Sequence, residues 1–100
     1  MERHQQELQR AFGRVIARRR REAGLSQQEM WERLGMSKSS YRRREQEGRD
    51  WTLANQIAVA AILDAPLSEL QAEAEKEAAT VTTREKEDPG GDSWMSALGG

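Results

Sequence analysis

Near the middle of this chain, four side chains that donate hydrogen bonds recur at a spacing that puts them on one face of a helix: Lys38, Ser39, Arg42 and Arg43. Lys and Arg can donate to O6 and N7 of guanine in the major groove of DNA, and Ser can bond to any base. Because helical neighbours diverge by about 100°, the two arginines cannot face the same base. We expect one to read a base and the other to contact a phosphate. A solvated, solubilising surface is the alternative interpretation.

A short helix is predicted just before these donors, over residues 27–34. Ser26 precedes it and can accept a hydrogen bond from a free backbone N–H, and Glu29 three residues later completes a capping box. Gly35 provides the left-handed residue that ends the helix.

A second short helix is predicted over residues 38–46, with Ser37 as its N-cap and Tyr41 as its inward-facing residue. Since the turn between the two helices is so short, they must cross steeply, and the polar face of the second one points outward. This layout is that of a helix-turn-helix, whose second helix lies in the major groove.

Three further helices are predicted, over residues 5–23, 53–64 and 67–79. A run of four arginines lies near the end of the first, where cations suit the helix dipole. Two interpretations of Arg18 and Arg21 in this run are open: they form a solvated helix end, or they contact DNA phosphates.

Apolar residues cover most sides of the helix over 53–64, including Leu53 and Ile57. Such a helix is either central to the domain or half of a dimer contact. Trp51, just before it, either covers the edge of the core or anchors an interface with a partner.

The helix over 67–79 has a thin apolar seam that weakens beyond Leu70, so it either pairs with a second copy or frays. Residues 80–100 are polar, charged and rich in helix breakers, which predicts a tail. The end of this tail turns apolar and either docks on a partner protein or is a disordered terminus with chance hydrophobic residues. Its apolar residues are Trp94, Met95 and Leu98.

Charge is divided unevenly along the chain. Residues 1–50 have a net charge of +5 and residues 51–100 one of −6, which together give −1. Because electrostatic attraction acts within a Debye length of about 8–10 Å, the basic half can meet DNA despite the near-neutral total.

The composition argues against catalysis and against membrane insertion. The chain has no cysteine, its one histidine is His4, and it has no Gly-rich phosphate loop. No apolar run approaches the ~18 residues that span a bilayer, and the N-terminus lacks the apolar segment of a secretory signal. We therefore expect a cytoplasmic protein that is not an enzyme and needs no metal or cofactor.

Several motifs together resemble the phage-repressor (XRE-like) helix-turn-helix family over roughly residues 12 to 70. They are the start GLSQ, the turn LGMS, the glutamate that closes the second helix, and the later LSEL. Trp31, Arg44 and Trp51 depart from the pattern, which usually has a small residue, a hydrophobic residue and a proline there.

The resemblance implies a role for several residues. Gln27 would contact a DNA phosphate at a helix N-terminus, and Arg20 would pair with Glu45 inside the domain. Lys38, Ser39 and Arg43 would face base edges, and we add Arg42 to this group. We expect the remaining phosphate contacts to come from exposed polar side chains around the motif: Gln28, Ser40, Arg49, Arg18 and Arg21.

These observations predict an all-α, five-helix repressor-like helix-turn-helix domain over residues 1–79, followed by a flexible acidic tail over 80–100. The predicted function is a sequence-specific, DNA-binding transcriptional regulator that acts as a homodimer on double-stranded DNA. A single module makes few base contacts, and therefore two copies on a palindromic site are expected. The alternative is a protein-interaction module, such as an antitoxin, whose tail docks on a partner.

Overall fold

A computed structural model describes residues 2–87, and all regular structure within this range is helical. The five helices are α1 (Glu2–Glu22), α2 (Gln27–Leu34), α3 (Lys38–Glu47), α4 (Leu53–Leu63) and α5 (Leu67–Glu87). The predicted all-α, five-helix fold is therefore confirmed. Within the described range, no helix combines the length and apolar character needed to cross a bilayer.

Side-chain caps define the start of each helix of the central motif. Ser26 accepts a hydrogen bond from the backbone of Glu29 at 3.0 Å, and the Glu29 carboxylate accepts one from the Ser26 backbone at 2.8 Å. Ser37 caps α3 through its hydroxyl alone, which accepts a hydrogen bond from the backbone N–H of Ser40 at 3.2 Å. The capping box and both helix starts are as predicted, because they depend on residues at most three apart.

The hydrophobic core forms around α1, which packs against both α3 and α5. The largest fully buried side chains come from all five helices: Tyr41, Ile16, Met30, Leu70, Val15 and Val59. A small domain has room for one such core, and here it joins the helix-turn-helix to the helices on either side.

Trp51 belongs to this core and does not anchor an exposed interface. Its side chain is buried, and its ring lies edge-on to that of Phe12, with 5.1 Å between ring centroids. Its indole N–H donates to the carbonyl oxygen of Arg44 at 2.8 Å. The one polar group of this buried side chain therefore has a hydrogen-bond acceptor. Of the two roles left open for Trp51, the structure selects core cover.

The expectation of a weak seam in α5 was wrong. Leu70, Ala74 and Ala78 are all buried, and α5 makes its main contact with α1. Small alanines allow the two helix backbones to approach closely, so a seam poor in large side chains can still be well packed. The helix also continues to Glu87 instead of ending at residue 79. Trp94, Met95 and Leu98 lie outside the described residues.

The outward face of α4 is apolar. Leu53 is 63% exposed and Ile57 is 55% exposed, whereas Val59 and Ala60 on the inward side are buried. Leu53 and Ile57 are one helical turn apart, and therefore they form one patch on the surface of the domain.

Candidate nucleic-acid interface

The outward face of α3 displays the four residues that were predicted to read bases. Lys38, Ser39, Arg42 and Arg43 are all exposed, and together they line one open, shallow groove. Their order along α3 places the lysine and serine in its first turn and the arginines in its second. This face can present several hydrogen-bond donors to an acceptor-rich surface such as the major groove.

Arg43 has a neighbour that sequence reasoning missed. Its Nε lies 3.3 Å from Oδ2 of Asp50, in the loop after α3, and both side chains are well exposed. Asp50 adopts a left-handed backbone conformation, with φ of 67°, which aspartate tolerates better than most residues. Exposed ion pairs contribute little free energy, so this one holds Arg43 loosely and can be exchanged for another acceptor.

The inward side of α3 is anchored by a buried polar network centred on Glu45. Arg20 donates to both oxygens of its carboxylate, from Nε at 2.9 Å and from Nη2 at 3.3 Å. The Tyr41 hydroxyl also donates to Glu45, and Nε2 of Gln27 donates to Oε1 of Glu45 at 2.7 Å. Arg20 further donates to the carbonyl of Leu25 at 2.8 Å. The network ties α1, α2 and α3 together at one point.

Burial and hydrogen bonding act against each other on the pKa of Glu45. Burial raises it, but the donors Arg20, Tyr41 and Gln27 together lower it below its ordinary value. Burial, together with the hydrogen bond to Glu45, raises the pKa of Tyr41. Glu45 is thus held as the carboxylate and Tyr41 as the neutral hydroxyl, which is the arrangement that satisfies every donor in the network.

Two glycines allow the backbones of α1 and α3 to touch. A Cβ on Gly13 would lie 2.6 Å from the carbonyl oxygen of Glu45. A Cβ on Gly48, which ends α3, would lie 2.4 Å from Cα of Arg10. Real side chains do not make such approaches, so both positions require glycine. Gly13 is a positioning residue that sequence reasoning missed, since a glycine inside a helix carries no local signal of what packs against it.

Several of the residues predicted to contact phosphates already have partners within the domain. Gln27 lies at the start of α2, but its amide donates to Glu45, while that of Gln28 donates to Glu32 at 3.0 Å. Arg49 pairs with Glu47 at 3.2 Å on the loop beyond α3. Ser40 contributes its backbone N–H to the cap of α3.

Arg18 and Arg21 belong to a groove beside the helix-turn-helix. The groove runs between α1 and the start of α2 and is also lined by Gln27 and Gln46. Arg18 pairs with two carboxylates of α5, those of Glu73 and Glu77, with 3.3 Å between the paired atoms in each case. Arg21 is exposed and makes no ion pair with any residue that the structure describes.

Among the side chains that the structure describes, those of residues 5–81, no group of acidic residues could hold a metal ion.

A family model described as a helix-turn-helix domain matches residues 11–72, which is more than half of the chain. The match runs from α1 into α5, and thus covers the Glu45 network as well as the motif itself. No curated protein and no solved structure matches the chain.

Proposed function

The chain belongs to the helix-turn-helix domain family, and from this membership we propose a sequence-specific transcriptional regulator that inserts α3 into the major groove of DNA. The observation that supports this most directly is the division of α3 into two faces. Its outer face exposes three cations, while its inner face is fixed by the buried Glu45 network. A rigidly held helix with a donor-rich outer face suits direct readout of bases.

The roles of Arg43 and Gln27 give the proposal its test. Arg43→Ala is expected to weaken binding to the preferred site about tenfold or more and to relax preference at one base position, because a bidentate contact to guanine is worth about 1–3 kcal/mol. Gln27→Ala is expected to weaken binding to all sequences alike. Selection from a random duplex library, followed by titration of the selected sites, measures both effects.

Lys76→Ala is the matched control for Arg43→Ala, because it removes one positive charge from the exposed surface of α5. It is expected to leave base preference unchanged. If Arg43→Ala and Lys76→Ala select the same sites with the same affinities, α3 does not read bases through Arg43. Thermal unfolding of Gln27→Ala shows how much of its effect comes from the lost hydrogen bond to Glu45.

We propose further that two copies bind a palindromic site through the exposed patch of Leu53 and Ile57 on α4. The helix from Leu53 to Leu63 contains no charged residue, so two copies can pack on this face without burying a charge. Because both side chains are exposed, replacing the pair by serine is expected to leave the fold intact. The variant should bind a single half-site like the unchanged protein and bind the palindrome without cooperativity.

Sedimentation with and without a palindromic duplex measures the outcome. Two unchanged chains are expected to bind the duplex together at concentrations where the serine variant binds as separate copies. Equal cooperativity in the two proteins would place the dimer contact elsewhere.

A further inference from the structure

An antiparallel set of ion pairs joins α1 to α5. Arg14 pairs with Glu77 of α5 and, at 2.9 Å, with Glu7 of its own helix. Arg18 shares the same Glu77 and reaches Glu73 as well. Burial lowers the pKa of Arg14, but the hydrogen bonds that its guanidinium donates to Glu77 and Glu7 outweigh burial and raise the pKa, so Arg14 is fully charged.

The arginines that make these pairs also face toward the DNA-reading side. Arg14 and Arg18 line the groove that holds Gln27 and Gln46, and Glu77 lies at the same groove. Gln46 also lines the open groove on the outer face of α3. The two grooves are therefore adjacent, and a duplex seated on α3 would bring its backbone near the Arg14–Arg18 side of the domain.

The carboxylates of α5 hold these arginines only weakly. The side chains of Arg14 and Arg18 are 44% and 45% exposed, and that of Glu77 is 26% exposed. Pairs with this much solvent contact are worth about 0–1 kcal/mol each. Each of these guanidinium groups divides its donors between two carboxylates. A DNA phosphate can instead accept two parallel hydrogen bonds from one guanidinium, and its binding releases condensed counterions.

We propose that the groove beside α3 is a second phosphate-binding surface, in which Arg14 and Arg18 exchange Glu77 for DNA phosphates when the duplex binds. Glu77 then acts as an internal competitor that lowers the affinity for DNA of any sequence. The inference rests on the proposed function, because it needs α3 to bring DNA to this side of the domain. It adds an acidic residue of α5 to the determinants of DNA affinity.

Glu77→Gln tests the exchange, with Glu75→Gln as its matched control. Both variants remove one negative charge from α5, but Glu75 lies at a different groove and makes no ion pair with the described residues. Removing the competitor is expected to raise the affinity for a duplex of arbitrary sequence about two- to fivefold, the equivalent of one exposed pair. Glu75→Gln is expected to change it less than twofold.

A second variant tests the arginines directly. In Arg14→Gln/Arg18→Gln, DNA affinity should fall and the slope of log K against log salt should become shallower by about 0.9 for each lost phosphate contact. Adding Glu77→Gln to this variant should then have no further effect. Circular dichroism and thermal unfolding of each variant establish that α5 remains helical.

The outcomes separate the two proposals. If the unchanged protein binds no duplex at low ionic strength, the proposed function fails. If it binds, but Glu77→Gln matches Glu75→Gln and the arginine variant keeps the full salt slope, the exchange is overturned while the role of α3 stands. If α5 unfolds in Glu77→Gln, the exchange is tested by Arg14→Gln/Arg18→Gln alone, through the slope of log K against log salt.

Discussion

Replacing Gly48 with alanine is expected to destabilise the domain by about 3 kcal/mol, from two separate causes. Gly48 has φ of 69°, a left-handed conformation that costs an L-residue about 1–2 kcal/mol. Its new Cβ would also lie within 2.5 Å of backbone atoms of Arg10 and Gln9, and overpacking of this kind typically costs a further 1–3 kcal/mol. Since the obstructing atoms are backbone, no side chain can move aside, and α1 must shift away from α3.

Gly35→Ala is the control that separates the two causes. Gly35 also ends a helix, with φ of 70°, but a Cβ there would meet no atom within 4 Å. It should therefore cost only the backbone term, about 1–2 kcal/mol. Thermal or urea unfolding of both variants measures the difference, and each kcal/mol corresponds to about 4–8 °C in Tm for a domain of this size. Equal losses would mean that α1 and α3 do not touch at Gly48.

A comparison of Gly35 with Gly13 shows which parts of a fold can be predicted from sequence. The stop at Gly35 and the caps at Ser26 and Ser37 follow from residues within a few positions, and the structure has them where they were predicted. Gly13 is different, because the atom that requires it belongs to Glu45, which is distant in sequence. A requirement set by another helix leaves no periodic pattern, and a single sequence cannot display it.

The same distinction explains why the seam of α5 was wrongly expected to be weak and why the role of Trp51 was left open. Beyond Leu70 the seam offers only the small side chains of Ala74 and Ala78, yet both are buried because α1 lies along them. Trp51 was left between core and interface because its partner, Phe12, is far away in the chain. Local patterns identified the five helices but not the end of α5, while long-range packing decided which of their faces are covered.

Within the candidate site, the sequence predicted which residues lie on the outer face of α3. It did not predict which of the arginines are already held in ion pairs. Helical spacing alone places Lys38, Ser39 and Arg42 on an exposed surface, as the structure has them. The ion pair of Arg43 depends on the unusual backbone of Asp50, and the pairs of Arg18 depend on how α5 returns along α1. Counting arginines from the sequence therefore overstates how many are free to meet DNA without breaking an existing contact.

Truncation of Glu45 to alanine is expected to cost about 3–5 kcal/mol. Breaking one side of a buried ion pair has this cost because the remaining charge is left without a partner. Here Arg20, only 8% exposed, would lose its carboxylate, and the buried hydroxyl of Tyr41 and the amide of Gln27 would lose their acceptor as well. Chemical unfolding at neutral pH measures the loss.

Glu47→Ala is the matched control, two residues along the same helix. Its carboxylate pairs with Arg49 on the surface, where the pair is worth about 0–1 kcal/mol. A loss for Glu45→Ala no larger than that for Glu47→Ala would contradict the buried network. Arg20→Ala should cost about as much as Glu45→Ala, and the double variant should cost much less than the sum, because both changes remove the same interaction.

The pH dependence of stability gives an independent measure of the same network. The pKa of Glu45 is lower in the folded protein than in the unfolded chain, so the unfolded chain takes up its proton first as the solution is acidified. The stabilisation from Glu45 is therefore fully present above its unfolded pKa of about 4.3 and is lost as the pH falls through the folded value. In Glu45→Gln this position cannot titrate. The difference in unfolding free energy between the unchanged protein and Glu45→Gln should accordingly be greatest near neutral pH and shrink in acid, whereas a constant difference would show that the charge of Glu45 plays no part in holding α3 against α1.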